Sequence, residues 1–125
     1  MAPKRRWRWL ESTVALQRDA YDHDWEAIGR TDRRVSRSIK DNLWAAVVEI
    51  GEVAREFSWK SWSAGKPFVN RRRVLEEVVD VLHFLANVLI ALGVSDDELE
   101  REYQRKQEVN RERQRAGYVA RSGKE

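Results

Sequence analysis

The sequence has 125 residues and a mass of 14.8 kDa, room for one domain spanning 1–125 and little else. It contains no cysteine, which excludes disulfides, thiolate metal sites and a cysteine nucleophile. The net charge of +3 is unevenly placed: residues 1–9 carry +4, residues 101–125 another +4, and the stretch between them −5. A pI of 9.4 taken alone points to nucleic acid, but an acidic middle between basic ends is suited to cations in the middle and phosphates at the edge.

The chain opens on a basic arm, residues 1–9, in which Lys4, Arg5, Arg6 and Arg8 alternate in part with Trp7 and Trp9. With no apolar signal core there, the expected compartment is the cytoplasm, that of a host if the protein is viral. A first helix is expected over Trp9 to Tyr21, followed by a connection rich in Asp and Arg, 22–34. A second helix is expected from Val35 to Trp59 and, after the break at Ala64-Gly65-Lys66-Pro67, a third from Asn70 to Leu92. The third contains most of the longest apolar run, Val81 to Val94, but His83 and Asn87 interrupt it, so no membrane span is expected. The fourth helix, Asp96 to Arg115, has the clearest start. Gly93 can close the preceding helix, Ser95 with Glu98 makes a capping-box pattern, and Asp96 and Asp97 favour the N-terminal dipole. Residues 119–125 read as a mobile tail. No stretch sustains period-two alternation, so the fold class is all-α, a bundle of four to five helices.

In the second helix, Leu43, Val47, Ile50, Ala54 and Phe57 form an apolar stripe expected to face a core. Glu49, Glu52 and Glu56 lie together on one flank of it. Side chains three or four apart on a helix are neighbours, with Cβ atoms about 5–6 Å apart. The third helix is apolar over most of its circumference, with Val74, Val78, Val81, Leu82, Leu85 and Leu89 filling one side. Its polar residues Glu76, Asp80, His83 and Asn87 gather in one sector with Glu77 at its edge, and that sector should face the interior or a cleft. Carboxylates aimed inward from two helices repel one another, and buried alone they neutralise. Basic partners or a hard divalent cation would resolve this, and an all-oxygen donor set suits magnesium or manganese rather than zinc. A lone Glu-x-x-Glu is ordinarily a solvated face. The second acidic pair, on an apolar helix, is what argues otherwise.

Glu49-Ile-Gly-Glu52, followed 25 positions later by Glu77-Val-Val-Asp80, resembles the ExxE…ExxD signature of the all-α nucleotide pyrophosphohydrolases. That superfamily includes MazG, the dCTP pyrophosphatases and the dimeric dUTPases. Three further segments are similar to the dimeric dUTPase branch, above all its short phage-type members. They are Asp80-Val-Leu-His83-Phe84, the turn Trp59-Lys60-Ser-Trp62, and Lys106-Gln-Glu-Val-Asn110-Arg-Glu-Arg113-Gln-Arg-Ala-Gly117-Tyr118. The resemblance covers residues 40–118.

It implies hydrolysis of a nucleoside triphosphate, dUTP first, to the monophosphate and pyrophosphate, with two or more magnesium ions (or manganese) per site. Carried over, Glu49, Glu52, Glu77 and Asp80 would be the metal ligands, and Glu49 would also orient or deprotonate the attacking water. Glu56 and Glu76 fall outside the pattern. Lys106, Asn110, Arg113 and Tyr118 would hold the triphosphate, the first three sharing one helical face. His83, Phe84 and Asn87, with Gln17, Trp25 and His23 from the first third, are candidates for the base and sugar pocket. The resemblance also implies a homodimer or homotetramer, as do six tryptophans, several of them outside the clear core stripes. A MazG-like or dCTP/dUTP enzyme of broader specificity is the nearest alternative. A small helical nucleic-acid binder, resting on the basic-aromatic arm, is the disfavoured one.

Overall fold

The computed structural model describes residues 6–21, 29, 31–56 and 70–117. Within them lie four helices and no strand: α1 (Trp9–Tyr21), α2 (Arg33–Arg55), α3 (Arg71–Ala91) and α4 (Asp96–Arg115). The all-α class and the bounds of α1 and α4 are as the sequence implied. The expected residues 57–59 of the second helix lie outside the described residues, as do the segment 59–62 and the tail 119–125.

Each helix starts on a side chain that satisfies an otherwise orphaned backbone N–H. Asp32 caps α2 by accepting from the Arg34 N–H at 2.8 Å, and Asn70 caps α3 by accepting from the Arg73 N–H at 3.2 Å. Ser95 caps α4 by accepting from the Glu98 N–H at 3.1 Å. For α1 the service is long-range: the Asp96 carboxylate accepts from the backbone N–H groups of Leu10 and Glu11 at 2.8 and 3.0 Å. One acidic residue thus supports the start of two helices at once, favoured by both dipoles.

The turn between α3 and α4 is fixed by Gly93, whose φ of 80° is the left-handed conformation open to glycine. Gly93 N–H donates to the Ile90 carbonyl at 2.9 Å and Val94 N–H to the Leu89 carbonyl at 3.0 Å, the paired bonds of a Schellman motif. The chain is bent there by 106°. No single helix among the described residues is long and apolar enough to cross a membrane.

The buried core sits at this end of the molecule. Leu10, Val35, Ala86, Ile90 and Ala91 form it, with Trp9, Ile39, Leu89, Val94 and Leu99 packed around them. The main helix–helix interface is α2 against α3, and α1 packs on α3 and touches α4. The expected stripe on α2 does not face this core. Ala46, not Leu43 or Val47, is the buried residue, while Leu43, Val47 and Ile50 are 46%, 55% and 54% exposed. The less exposed row, which carries Asn42 to Asn87 and Glu49 to Glu77 on α3, is instead Ile39, Asn42, Ala46, Glu49 and Val53, a mixed row that the rule of apolar-inward passes over. On α3, Val78 and Leu82, also expected inside, are exposed alongside Leu75 and Val79.

Candidate metal and nucleotide site

The α2–α3 interface brings two acidic pairs face to face. Glu49 and Glu52 of α2 and Glu77 of α3 each place a carboxylate oxygen within 4.8 Å of the other two. Asp80 lies one turn further along α3. It does not join that cluster, but it shares a cleft wall with Glu49 and its charge acts on that carboxyl.

Glu49 carries the strain of the arrangement. Its carboxyl is raised above the ordinary carboxylate value, first by desolvation and then by the charge and hydrogen bond of Glu52 and the charges of Asp80 and Glu77. Its Oε2 is buried with no hydrogen-bond partner. A buried acceptor with no donor, in an all-oxygen cluster of three half-buried or exposed carboxylates, fits a hard divalent cation and gives thiolate-preferring metals nothing.

The two other glutamates separate cleanly from this group. Glu56 pairs with Arg73 across the α2–α3 interface at 3.1 Å. Glu76 is exposed and pairs with Arg72 one turn earlier on its own helix, also at 3.1 Å, so it leaves the polar sector assigned to it by periodicity.

Beside the carboxylates opens a cleft of about 580 Å³. From α1 it receives Thr13, Leu16 and Gln17, from α2 Asn42 and Glu49, and from α3 Asp80, His83, Phe84 and Asn87. Gln17, His83, Phe84 and Asn87, the candidates for a base and sugar pocket, thus line one cleft. Trp25 and His23 lie outside the described residues. Thr13, Leu16 and Asn42 also line the cleft and were not singled out: Thr13 stands one turn before Gln17, whereas Asn42 is tied to the cleft by Asn87, 45 positions away.

The cleft wall holds a chain of amides. Gln17 Nε2 donates to Asn87 Oδ1 at 2.6 Å, and Asn87 Nδ2 donates to Asn42 Oδ1 at 2.9 Å. Asn42 Nδ2 in turn donates to the Ser38 carbonyl at 2.8 Å and to its Oγ at 3.2 Å.

Lys106, Asn110 and Arg113 are exposed on α4 and are not among the walls of the cleft. Arg113 instead borders a shallow groove on α4 with Glu108, Val109 and Glu112. Tyr118 lies outside the described residues, and Gly117, at a φ of 86°, ends the helix. The basic arm also has partners. Arg8 bonds Asp97 at 3.0 Å and Glu11 at 3.2 Å, and Arg6 reaches Glu100 at 3.4 Å, so part of the N-terminal charge is matched by the acidic start of α4.

Residues 22–94, more than half of the sequence and the stretch that holds all four carboxylates, match the family described as dUTPase. The chain belongs to that family. The family match agrees with the resemblance drawn from the two acidic motifs. A dCTP pyrophosphatase of Enterobacteria phage T4 is 31% identical over 96 residues, which cover 64% of this chain. The chain spans 56% of that relative's length. No solved structure matches it. Gln17 and the whole of α4 fall outside the segment that defines the family match.

Proposed function

We propose that this chain is a metal-dependent nucleoside triphosphate pyrophosphohydrolase whose first substrate is dUTP, converted with water to dUMP and pyrophosphate. The observation that carries this reading is the cluster of Glu49, Glu52 and Glu77 at the edge of an amide-lined cleft, within a dUTPase family segment. Glu49, Glu52, Glu77 and Asp80 hold the cations. When bound, two or more magnesium or manganese ions supply charge neutralisation and a lowered pKa for bound water. Glu49 orients the attacking water and accepts its proton. The cleft walls from α1 and α3 hold the base and sugar, with Phe84 and Leu16 as apolar surfaces and Gln17 as a polar one.

The phosphate contacts of Lys106, Asn110, Arg113 and Tyr118 need α4 to meet a carboxylate cluster, and within one chain its residues do not line that cleft. A second copy supplies the route. Exposed apolar side chains on α2 (Leu43, Trp44, Val47, Val48, Ile50) and on α3 (Leu75, Val79) call for cover of this kind. The assembly is thus a homodimer or a homotetramer, with α4 of one copy serving the site of another.

A second reading, dCTP in place of dUTP, is favoured by the phage T4 relative. Pyrophosphate release from a panel of deoxynucleoside triphosphates with magnesium, and with EDTA as the control, tests both. Release from dUTP that EDTA abolishes is expected, and Glu49→Gln should remove it while circular dichroism stays unchanged. Preference for dCTP would overturn the base assignment alone. No release from any nucleotide by folded protein would overturn the reaction.

A further inference from the structure

The amide chain along the cleft has a direction, and that direction is set far from its end. An amide side chain could in principle be turned either way, since its oxygen and nitrogen are nearly the same size. A backbone carbonyl has no such choice, because it only accepts. The Ser38 carbonyl, 2.8 Å from Asn42, therefore demands the Nδ2 of Asn42. That turns Asn42 Oδ1 toward Asn87, which must answer with its own Nδ2, at 2.9 Å. Asn87 Oδ1 is then left for Gln17, which must answer with Nε2, at 2.6 Å. The polarity runs without ambiguity from Ser38 to Gln17. It ends on Gln17 Oε1, which is buried without a hydrogen-bond donor in a residue only 5% exposed.

Thr13, one turn earlier on α1 and also in the cleft wall, adds to the same bias. Its hydroxyl proton is already given to the Trp9 carbonyl at 3.0 Å, so toward the cleft it too can only accept.

We infer that Asn42, anchored on the Ser38 carbonyl, is a specificity-positioning residue: through Asn87 it locks Gln17 with its oxygen as the acceptor for an N–H on the edge of a pyrimidine base. The acceptor is already buried and unpaired in the free protein, so a ligand that brings the N–H gains a bond that a ligand without it does not. The N3–H of uracil and the 4-amino group of cytosine both supply the donor. The inference rests on the nucleotide reading of the cleft, and it adds a residue that belongs to none of the motifs.

The test is binding of monophosphates without metal, followed by calorimetry, so that it does not depend on turnover. The probes are dUMP against N3-methyl-dUMP, and dCMP against its N4,N4-dimethyl form. Wild type is expected to prefer the parent of at least one pair by about tenfold or more. The pair that shows the preference identifies the donor. Asn42→Leu removes the direction of the chain, so Gln17 can present its nitrogen, and the preference should collapse. Asn42→Asp loses the bonds to Ser38 but still offers Asn87 only acceptors, so the preference should survive. A merely structural role for Asn42 would predict the reverse order, with the charged variant worse. Equal binding of parent and methylated nucleotides by wild type, or a preference that Asn42→Leu leaves intact, overturns the inference. So does failure of wild type to bind any of the four. Hydrolysis with no N–H preference would remove the amide lock and leave the reaction standing. Preference without hydrolysis would do the opposite.

Discussion

Glu49 is the residue in which the design of the site can be measured. Held among Glu52, Glu77 and Asp80 and partly withdrawn from water, its carboxyl takes up a proton more readily in the folded chain than its ordinary value of 4.5 allows. An acid whose folded pKa is raised contributes stability that is fully present below the unfolded value and is lost as pH rises through the folded one. Metal-free protein should therefore lose melting temperature as pH climbs from the ordinary glutamate range toward neutrality. Glu49→Gln, which cannot ionise, should flatten that dependence and melt above wild type at neutral pH in EDTA. Magnesium should reverse the order, raising wild type far more than the variant, because the repulsion is then balanced by the cation. Thermal melts across this pH range, with EDTA and with magnesium, decide it. A variant that melts below wild type in EDTA at neutral pH would show that Glu49 is not strained.

At the scale of elements, the ends of helices do more than their middles to place the site. The α3–α4 corner joins Gly93, Ser95 and Asp96 in four residues, and Asp96 also holds the start of α1, which carries Thr13 and Gln17 into the cleft. Gly93→Ala should destabilise by about 1–2 kcal/mol, the cost of a left-handed backbone with a Cβ. Asp96→Ala should cost about 1–2 kcal/mol through the lost cap. Chemical denaturation measures both, and a loss in Asp97→Ala as large as in Asp96→Ala would contradict the special role of the first. Local signals made much of this legible. Ser95, Gly93 and the bounds of α1 and α4 can be read from a few adjacent residues. The acidic motifs were equally plain, because Glu77 and Asp80 stand on an apolar helix. What stayed hidden was whatever depends on a partner far along the chain. Asp96 reaches α1 across 86 positions, and Asn42 gains its meaning from Asn87, 45 positions away. Periodicity also misassigned the inward face of α2. It finds the most apolar flank, and here the less exposed row is the one that must carry Asn42 and Glu49.

That misassignment has a consequence for the whole molecule. Among the described residues the buried apolar set is small: Leu10, Val35, Ala46, Ala86, Val88, Ile90 and Ala91, three of them alanine. Larger apolar side chains lie outside it on α2 and α3, with Trp44 66%, Val48 60% and Val47 55% exposed. Two helices that set carboxylates and amides facing each other have turned their apolar flanks outward, where a second copy can bury them. A charge placed in that flank, away from the cleft, should separate association from folding. Val47→Glu is on the stripe with Leu43 and Ile50 and is not a wall of the cleft. It is expected to shift the protein from dimer or tetramer to monomer in light scattering coupled to gel filtration, with helical circular dichroism retained. A wild type that elutes as a monomer at every concentration tested would remove the second copy. With it would go the proposed route by which Lys106 and Arg113 would reach the phosphates. If the oligomer is real and Val47→Glu dissolves it, pyrophosphate release should fall together with the oligomer, and at higher protein concentration both should recover in parallel by mass action.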